Sequence, residues 1–462
     1  MAPAQECRAT LSARPEETAA VYARRLLASL DLDPARPLEP PAQHPAQAWA
    51  ESGLMALTGL PDGEPQMCPA PLAACADGAL AALAALAPPD AFTGLRGATL
   101  LGERAAIRHL TRSGAASPSG GCRLLATRDG AIAVSLVRDD DWALLPAWLE
   151  CEAVGDWEAV RRRVAHAGLH DLVERGRELG LAVAPDVPVP TPAVPWLRAD
   201  PPFSRRQRVA DAPRRAPCVV DLSSLWAGPL CAQLLQRCGA RVIKVESLRR
   251  PDGARRGPAA FFDLLNAGKQ SVALDFSDAR DRARLRALLA RADLVIEASR
   301  PRALRQLGIR VPELLDENPR LTWVTITGYG LGEPQENWIA YGDDAAVNAG
   351  LSYLMRQATG LRLIAGDAIA DPLTGLHAAL AAWASWMGGG GQHLSLALCD
   401  VVRHGLQFDR PDSVAALRAR QREWTARIAP EAVRPPQARA PAGRAQALGA
   451  DTAAVMAAFN LA

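Results

Sequence analysis

The sequence predicts an α/β protein, with a mostly parallel, Rossmann-like sheet domain at residues 217–400 and a smaller α+β domain on its N-terminal side. Short β-branched runs alternate with helical runs in the second half of the chain, which is typical of a parallel sheet covered by helices. The first half is mainly helical and has one hairpin pattern. A proline-rich stretch at 183–203, VAPDVPVPTPAVPWLRADPPF, separates the two halves.

The elements follow in order along the chain. In the first half, helices are expected near 16–30, 71–87 and 157–180, and CRLLATRDGAIAVSLV (122–137) is expected to form a hairpin around Asp129-Gly130. After the linker, the expected strands are CVVDLS (218–223), RVIKVE (241–246), SVALDF (271–276), DLVIEA (293–298), LTWVTITG (321–328) and HLSLAL, with helices near 229–237, 278–291 and 302–307. GGGG (388–391) is expected to be a helix C-cap and turn. A closing helix is expected in ALGADTAAVMAAF, capped by Asp451 or Thr452.

The composition is that of a globular protein. The 462 residues are 49% hydrophobic, enough for two or three domains with substantial cores. Lys and Arg total 52 against 50 Asp and Glu, so the net charge of +2 argues against a nucleic-acid partner. The N-terminus lacks a signal-peptide pattern and no apolar run is long enough to span a bilayer, so no membrane partner is expected. The nine cysteines include no CxxC pair, which predicts no zinc site, no disulfide framework and a cytoplasmic location.

Asp371 is the strongest candidate for a chemical role. It precedes Pro372 and an apolar run to Met387, so the pattern places it at the N-cap of a helix with proline at the first helical position. A helix-capping aspartate needs no further role. A carboxylate there also lies in a positive field beside free backbone N–H groups, which can stabilise an oxyanion at an attacked thioester. Both interpretations stay open on this pattern alone.

Three other features were weighed as site candidates. Arg300 follows the strand at 293–298, where parallel sheets bind ligands, and either meets a phosphate or is simply solvated. WAGP (226–229) offers backbone donors to an anionic group at a helix start, although it is not a dinucleotide fingerprint. His377, six residues after Asp371, lies on another helical face and fits a packed residue better than a base.

The segment 49–86 resembles the segment 338–382 in order and character. WAESGLMALTG and PLAACADGALAALAAL in the first correspond to WIAYGDDAAVNAGLSYLM and AIADPLTGLHAALAA in the second. Gly53 to Asp77 spans 24 positions, and Gly350 to Asp371 spans 21. Chance similarity between two alanine-rich helix starts is one explanation, and partial duplication is the one we favour.

The order of these motifs resembles the class III CoA-transferases, the family that includes formyl-CoA and carnitine CoA-transferases and the α-methylacyl-CoA racemases. VVDLSSLWAGPLCAQLLQRCGARVIKVES is similar to the family's opening strand, helix and second strand. LNAGKQSVALDF, ADLVIEASRPRALRQLGI and NPRLTWVTITGYG are similar to its next three motifs, and IADPLTGLHAAL to its catalytic segment. The resemblance covers residues 217–400 and the tail ALGADTAAVMAAF.

The resemblance implies a CoA-transferase with Asp371 as its nucleophile. In the family, an aspartate attacks an acyl-CoA thioester to give a mixed anhydride, the released CoA re-attacks, and the enzyme-bound CoA thioester passes to an acceptor carboxylate. Coenzyme A is thus a substrate and carrier rather than a permanently bound cofactor, no metal is implied, and the partners are an acyl-CoA and a carboxylic acid. The positions that match the family's CoA contacts are Trp226, Ala227, Leu274, Asp275, Ala298, Ser299, Arg300, Gln306, Ile339, Ala340, Tyr341 and Gly342.

Three positions bear on the choice among activities. At Tyr341 the racemases have a histidine base and the formyl-CoA transferases a tyrosine, so transfer is favoured over racemisation or isomerisation. Ser247 and Gln306 replace residues that are usually basic in the family, which puts nucleotide affinity in doubt. The alternative that these departures favour is a non-catalytic CoA-binding or partner subunit.

The domain order departs from the family, whose small domain lies between the catalytic half and the tail. Residues 401–430 leave no room for it, and the hairpin at 122–137 resembles it instead. We interpret the chain as rearranged, with 45–185 resembling part of a second copy in which Asp77 is a degenerate nucleophile or a helix cap. Because family members are interlocked dimers, a homodimer is expected. The expected domains are a helical partial copy of the catalytic half (1–115), a small α+β domain (116–182), a linker (183–214), a CoA-binding catalytic domain (215–429), and a tail with a closing helix (430–462).

Overall fold

The computed structural model describes residues 14–33, 36–204 and 215–461. Parts of the predicted N-terminal segment (1–13) and of the predicted linker (205–214) lie outside the described residues. The second half of the chain forms a mostly parallel sheet covered by helices, which confirms the predicted fold class for that half. No helix in the described part of the chain is long and apolar enough to cross a bilayer.

The N-terminal helices belong to the main core of the molecule. They are α1 (Thr18–Ser29), α2 (Pro45–Glu51), α3 (Leu72–Leu86), α4 (Gly97–Leu100) and α5 (Glu103–Ile107). Tyr22 of α1 and Leu83 of α3 share one hydrophobic cluster with Leu230 and Leu376 from the second half of the chain. The segment 14–107 is therefore packed directly onto the sheet domain rather than folded around a core of its own.

A small α+β unit follows. Its elements are β1 (Cys122–Ala126), β2 (Ala131–Ser135), α6 (Asp139–Trp148), α7 (Trp157–Val164), α8 (Leu169–Glu178) and β3 (Ala182–Pro185). The predicted hairpin is present, with Cys122 paired to Ser135 and Ala126 to Ala131. The single helix expected at 157–180 is wrong. The chain forms two helices there, because α7 ends at Val164 and α8 begins after Gly168, whose backbone is extended. The start of the predicted linker also pairs with β2 as a third strand.

The sheet domain occupies the rest of the chain. Its elements are β4 (Arg198–Asp200), β5 (Cys218–Asp221), α9 (Ala227–Arg237), β6 (Arg241–Ser247), α10 (Ala259–Asn266), β7 (Gln270–Leu274), α11 (Ala279–Ala290), β8 (Leu294–Glu297), α12 (Pro301–Gln306), α13 (Val311–Glu317), β9 (Thr322–Thr327), α14 (Gly342–Asn348), α15 (Leu351–Thr359), α16 (Ala370–Met387), β10 (Gln392–Ala397), α17 (Leu398–Gln407), α18 (Val414–Ala426) and α19 (Thr452–Ala458).

The strand order places a ligand site at the middle of the sheet. The order is β4-β10-β9-β8-β5-β6-β7, and all neighbours are parallel except β4, which runs antiparallel to β10. From β5 the chain proceeds to β6 and β7 on one side, and then returns to β8 and β9 on the other. In such doubly wound sheets the loops after the two central strands separate and leave a crevice at the carboxyl edge. Here that crevice lies beyond the ends of β5 and β8.

The proline-rich tail crosses the N-terminal helices before it returns to the sheet. The N–H of Arg434 donates to the carbonyl of Ala50 at 3.0 Å, and Arg439 Nε donates to Glu103 at 2.8 Å. Helix α19 then packs on β7. Asp451 is the N-cap residue of α19, one of the two expected, but its side chain makes no bond to the helix and instead accepts the backbone N–H of Ser271.

Candidate active site

A cavity of about 290 Å³ opens at the crevice between the ends of β5 and β8. Its walls come from the loops that follow β5, β8 and β9, from the segment before α14, and from the start of α16. The lining residues are Arg138, Leu222, Ser224, Leu225, Ala227, Gly228, Ala298, Ser299, Arg300, Ile326, Thr327, Gly328, Glu336, Trp338, Ile339, Ala340, Tyr341, Asp371 and Leu398. Asp371 and Glu336 are the carboxylates in these walls, and Asp371 interacts with the backbone of Ala227 at the start of α9.

Asp371 lies in the first turn of α16 rather than at its N-cap. The helix begins at Ala370, and the N–H of Asp371 donates to the carbonyl of Ala368 at 2.9 Å. The predicted cap is therefore wrong by two positions. The positive electrostatic field predicted for this carboxylate is present, because the side chain still lies among the N–H groups at the start of the helix.

The surroundings of Asp371 raise its pKa while keeping it ionised at neutral pH. Burial raises the pKa to about 6, the Arg104 guanidinium opposes this, and the Asp367 carboxylate adds to it. Backbone groups of Ala227 and Gly342 also interact with the carboxylate and lower its pKa. A carboxylate of this kind is more basic than an exposed aspartate and is available as a nucleophile at pH 7.

Two further aspartates lie beside Asp371. Asp367 receives two hydrogen bonds from Arg104, at 2.8 Å from Nε and 2.7 Å from the terminal nitrogen. Asp343 accepts the N–H of Ala368 at 2.7 Å, and burial with the neighbouring Asp367 raises its pKa to about 7. Three carboxylates thus share a single guanidinium, so the cluster holds a proton more readily than isolated aspartates do.

Two strained residues flank Asp371. Ala368 has φ of +46° and Leu225 has φ of +70°, a region that side chains other than glycine rarely adopt. Asp343 holds the N–H of Ala368, and Asp252 holds that of Leu225 at 3.0 Å. Strained backbone that the surrounding contacts enforce is typical of functional sites.

The two lysines of the chain donate hydrogen bonds that hold the loop between β5 and α9, which carries Leu225 and Ala227. Lys244 is buried, donates to the carbonyl of Ser223 at 2.9 Å and pairs with Asp252 at 3.0 Å. Lys269 is also buried and donates to Asp221 at 2.9 Å and to the carbonyl of Pro229 at 3.0 Å. A compact ammonium can satisfy several acceptors in a tight space, so both lysines fix the β5–α9 loop.

A second cavity of about 410 Å³ continues from the first along the carboxyl edge of β5, β6 and β7. The two cavities share Leu222, Ser224 and Ser299 as walls. The second is lined by Arg249 and Arg250 and by the carboxylates of Glu246, Asp252 and Asp275, with apolar and small polar side chains around them. Arg249 pairs with Asp275 at 3.3 Å. Together the cavities form one groove, in which Asp371, Arg138 and Arg300 line the first part and Arg249 and Arg250 line the second.

The structure brings most of the predicted site residues to this groove. Ala227, Ala298, Ser299, Arg300, Ile339, Ala340, Tyr341 and Asp371 line the first cavity, and Asp275 lines the second. Gly342 lies against Asp371, where any Cβ would collide with the carboxylate. Trp226 and Leu274 are buried beside the groove, and Gln306 is outside the linings of both cavities.

Two charged residues of the site were missed by sequence reasoning. Arg104 is 263 positions from its partner Asp367, and no local pattern marks it. Arg138 lines the cavity from the small α+β unit, where it donates to the Gly180 carbonyl at 2.9 Å and pairs with Asp141. The sequence signal for Arg138 was its place directly after the predicted hairpin.

Asp77 and His377 are structural residues. Asp77 lies inside α3, pairs with Arg96 at 2.7 Å and accepts the N–H of Ala98 at 3.0 Å, so the predicted helix cap is wrong. His377 is buried, hydrogen-bonds the Tyr22 hydroxyl at 2.9 Å, and has its pKa lowered to about 3 by burial. Its packed role agrees with the interpretation preferred from sequence. The residues that the structure describes contain no group of three metal-ligating side chains.

Comparisons with known proteins match the same part of the chain. Residues 218–433 match the model of CoA-transferase family III. A succinate–glutarate CoA-transferase of Agrobacterium fabrum is 32% identical over 215 residues, which is 42% of this chain and 54% of that protein. A formyl-CoA:oxalate CoA-transferase of Rhodopseudomonas palustris is 32% identical over 195 residues, 40% of this chain and 46% of that protein.

The chain is also similar to a solved structure, a CAIB/BAIF family protein from Brucella suis, at 33% identity and a TM-score of 0.38, over 42% of this chain and 56% of that one. The chain spans about half the length of the curated relatives it matches. The matched region contains the strands from β5 to β10, Asp371 and the residues that line both cavities except Arg138. Residues 218–433, a little under half of the chain, are thus similar to CoA-transferase family III.

Proposed function

We propose that this protein transfers coenzyme A from an acyl-CoA to a carboxylic acid, with Asp371 as the nucleophile. The observation that carries the proposal is the position of Asp371. It is a carboxylate with no direct ion-pair partner among the described residues, in the wall of a cavity that shares Leu222, Ser224 and Ser299 with a second cavity. The match of residues 218–433 to the model of CoA-transferase family III supports it.

The groove has the chemical order that coenzyme A requires. Arg250, and Arg249 beside Asp275, suit the phosphates of the nucleotide, and the apolar side chains of the second cavity suit the adenine. The junction of the two cavities at Ser224 and Ser299 suits the pantetheine arm, which delivers the thioester to Asp371. In this pose the acyl group lies toward Trp338 and Tyr341.

The proposed reaction has four steps. The Asp371 carboxylate attacks the thioester carbonyl and expels CoA thiolate, which leaves a mixed anhydride. The thiolate attacks the aspartyl carbonyl, releases the donor carboxylate and forms an aspartyl–CoA thioester. The acceptor carboxylate then attacks this thioester, and the thiolate released attacks the acceptor acyl carbon, which restores Asp371. Each tetrahedral intermediate develops an oxyanion, and the N–H groups at the starts of α9 and α14 are placed to stabilise it.

Tyr341 favours transfer over racemisation in this proposal. It lines the cavity, and burial raises the pKa of its phenol to about 12 while Arg138 opposes the shift. A phenol that stays protonated at pH 7 cannot remove an α-proton, so the base that a racemase needs on that side is absent from this position.

The test is to incubate the protein with acyl-CoAs and acceptors, beginning with the succinate, glutarate and oxalate named for its relatives. Hydroxylamine or borohydride is added during turnover, and peptides are searched by mass spectrometry for modification of Asp371. Asp371→Asn and Asp77→Asn serve as paired controls. Coenzyme A binding with no adduct and no transfer over a broad panel would favour a non-catalytic subunit, and exchange of the α-proton without transfer would favour a racemase.

A further inference from the structure

The N-terminal helices repeat the helical frame around Asp371. Helix α1 packs on α3 as α9 packs on α16. A Cβ on Gly78 of α3 would lie 2.5 Å from the carbonyl of Ala19, and one on Gly375 of α16 would lie 2.7 Å from the carbonyl of Ala227. Each glycine therefore lets the backbone of its partner helix approach at an equivalent point.

A second pair of glycines continues the repeat. Gly53 follows α2 with φ of +88°, and Gly350 follows α14 with φ of +99°. A proline-rich segment covers each of them, since a Cβ would lie 2.5 Å from the nitrogen of Pro436 at Gly53 and 2.7 Å from that of Val189 at Gly350. In each half, 25 positions separate this glycine from the one at the helix crossing.

This spacing identifies the counterpart of Asp371. Asp371 lies four positions before Gly375, and the residue four positions before Gly78 is Ala74. Asp77 corresponds to Thr374, so the expectation that Asp77 occupies a nucleophile position does not hold under this alignment. The first repeat also has only residues 30–44 between α1 and α2, whereas 238–341 between α9 and α14 contain β6 to β9. The described part of the first repeat thus has neither a nucleophile nor strands to bind a nucleotide.

The first repeat nevertheless reaches the site of the second. Arg104 donates two hydrogen bonds to Asp367, and its guanidinium lies 5.2 Å from the ring of Trp226. The small α+β unit that follows the first repeat hydrogen-bonds to Asp344 through Ser135 at 2.7 Å and places Arg138 in the cavity wall.

We infer that the N-terminal repeat is a second catalytic half without a site of its own, which completes the Asp371 site within the same chain and supplies Arg104 as its positioning residue. One chain then carries one complete site and needs no partner. This inference uses the proposed function for its activity readouts. The homodimer expected from the family stays a prediction, but the site does not depend on it.

The role of Arg104 follows from charge. Its side chain stands against Asp343, Asp367 and Asp371. Burial lowers its pKa, but the three carboxylates together, Asp367 above all, outweigh burial and raise the pKa. Removal of the guanidinium leaves three neighbouring carboxylates without compensation, so one of them takes up a proton at higher pH. Arg104→Met is therefore expected to move the acid limb of kcat/KM upward by about one pH unit or more, and Arg104→Lys to move it less.

The matched control is Arg96→Met, which breaks the Arg96–Asp77 pair in the first repeat. It is expected to leave the acid limb of kcat/KM in place. An acid limb that moves equally in both variants, or in neither, would contradict the positioning role of Arg104. If Arg104 only stabilised the fold, Arg104→Met would lower the amount of folded enzyme without shifting the acid limb.

Completeness within one chain is tested by co-expressing full-length Asp371→Asn and Arg104→Met under separate tags. A site built within one chain gives activity no greater than the sum of the two variants. Recovery above that sum would show that Arg104 acts across chains and would overturn the inference. Calorimetric titration with coenzyme A is expected to give one site per chain, and two sites would overturn it even if no transfer activity is found. If the wild-type protein binds one coenzyme A per chain but transfers none, that result counts against the proposed function and not against this inference.

Discussion

Asp371 and Asp77 are two aspartates in corresponding helices of one molecule, and each lines a cavity, but their partners differ. Asp77 is committed to Arg96 and to the N–H of Ala98. Asp371 has no ion pair of its own among the described residues, and the Arg104 guanidinium beside it is bound to Asp367 instead. A carboxylate engaged by its own ion pair is held as a structural group, whereas one that senses a cation only through a neighbour keeps its lone pairs free for substrate. Four changes would break or sharpen this contrast.

The largest effect is expected for Asp371→Asn. An amide of nearly the same shape removes the nucleophile, so transfer is expected to fall by roughly 10³-fold or more while coenzyme A still binds. Steady-state kinetics and calorimetric titration check the two parts. Asp77→Asn is expected to retain kcat, and a comparable loss of kcat in that variant would remove the distinction between the two residues.

A smaller loss is expected for Gly342→Ala. The added methyl meets the Asp371 carboxylate and the carbonyl of Ala368, so the nucleophile must move. Displacement of about 1 Å at a reacting group costs roughly 10²-fold in rate. The matched control is Gly78→Ala, where the methyl meets Ala19 and is expected to lower the free energy of unfolding by about 1–3 kcal/mol with kcat per folded molecule unchanged. Equal kcat for wild type and Gly342→Ala would contradict the proposed geometry.

The pH profile is expected to change by about tenfold per unit below pH 6. Only the ionised carboxylate attacks, and burial with the Asp367 charge raises the pKa of Asp371 to about 6. The rate measured as kcat/KM is therefore expected to be level above pH 7 and to decline as the pH falls through 6. A limb near pH 4 would show that Asp371 is solvated like an ordinary surface aspartate.

The smallest effect concerns stability. Burial and Asp367 raise the pKa of Asp343 to about 7 in the folded state, above its value in the unfolded chain. Such a group contributes stability at low pH that is lost as the pH rises through the folded pKa. Asp343→Asn still accepts the N–H of Ala368 but does not ionise. It is expected to reduce the drop in Tm between pH 5.5 and pH 8 by roughly a few degrees, measured by calorimetry. An unchanged drop would show that Asp343 is not part of the crowded cluster.

Local patterns predicted the sheet domain well. The six strands from β5 to β10 and the helix that begins near Asp371 follow from β-branched runs and helical periodicity, which are properties of short segments. The position of Asp371 within the helix was missed, because caps are set by one or two residues of backbone geometry.

Contacts between distant parts of the chain could not be predicted from local sequence patterns. Nothing near Arg104 indicates a partner at Asp367, and Arg138 belongs to a different unit from the cavity that it lines. The equal spacing of Gly53 to Gly78 and of Gly350 to Gly375 was visible in the sequence, but its meaning depends on the helix crossings that require glycine. Aligning the two aspartates pairs Asp77 with Asp371, whereas aligning the glycines pairs Asp77 with Thr374.

The most direct test of the central claim follows oxygen atoms. In the proposed reaction the acceptor carboxylate leaves one of its oxygens on the nucleophile each time the second anhydride is opened by thiolate. With an ¹⁸O-labelled acceptor and repeated turnover, the peptide that contains Asp371 is expected to gain ¹⁸O in its carboxylate, and the peptide that contains Asp77 to gain none. Formation of the product acyl-CoA without ¹⁸O in Asp371 would contradict the assignment of Asp371 as the nucleophile.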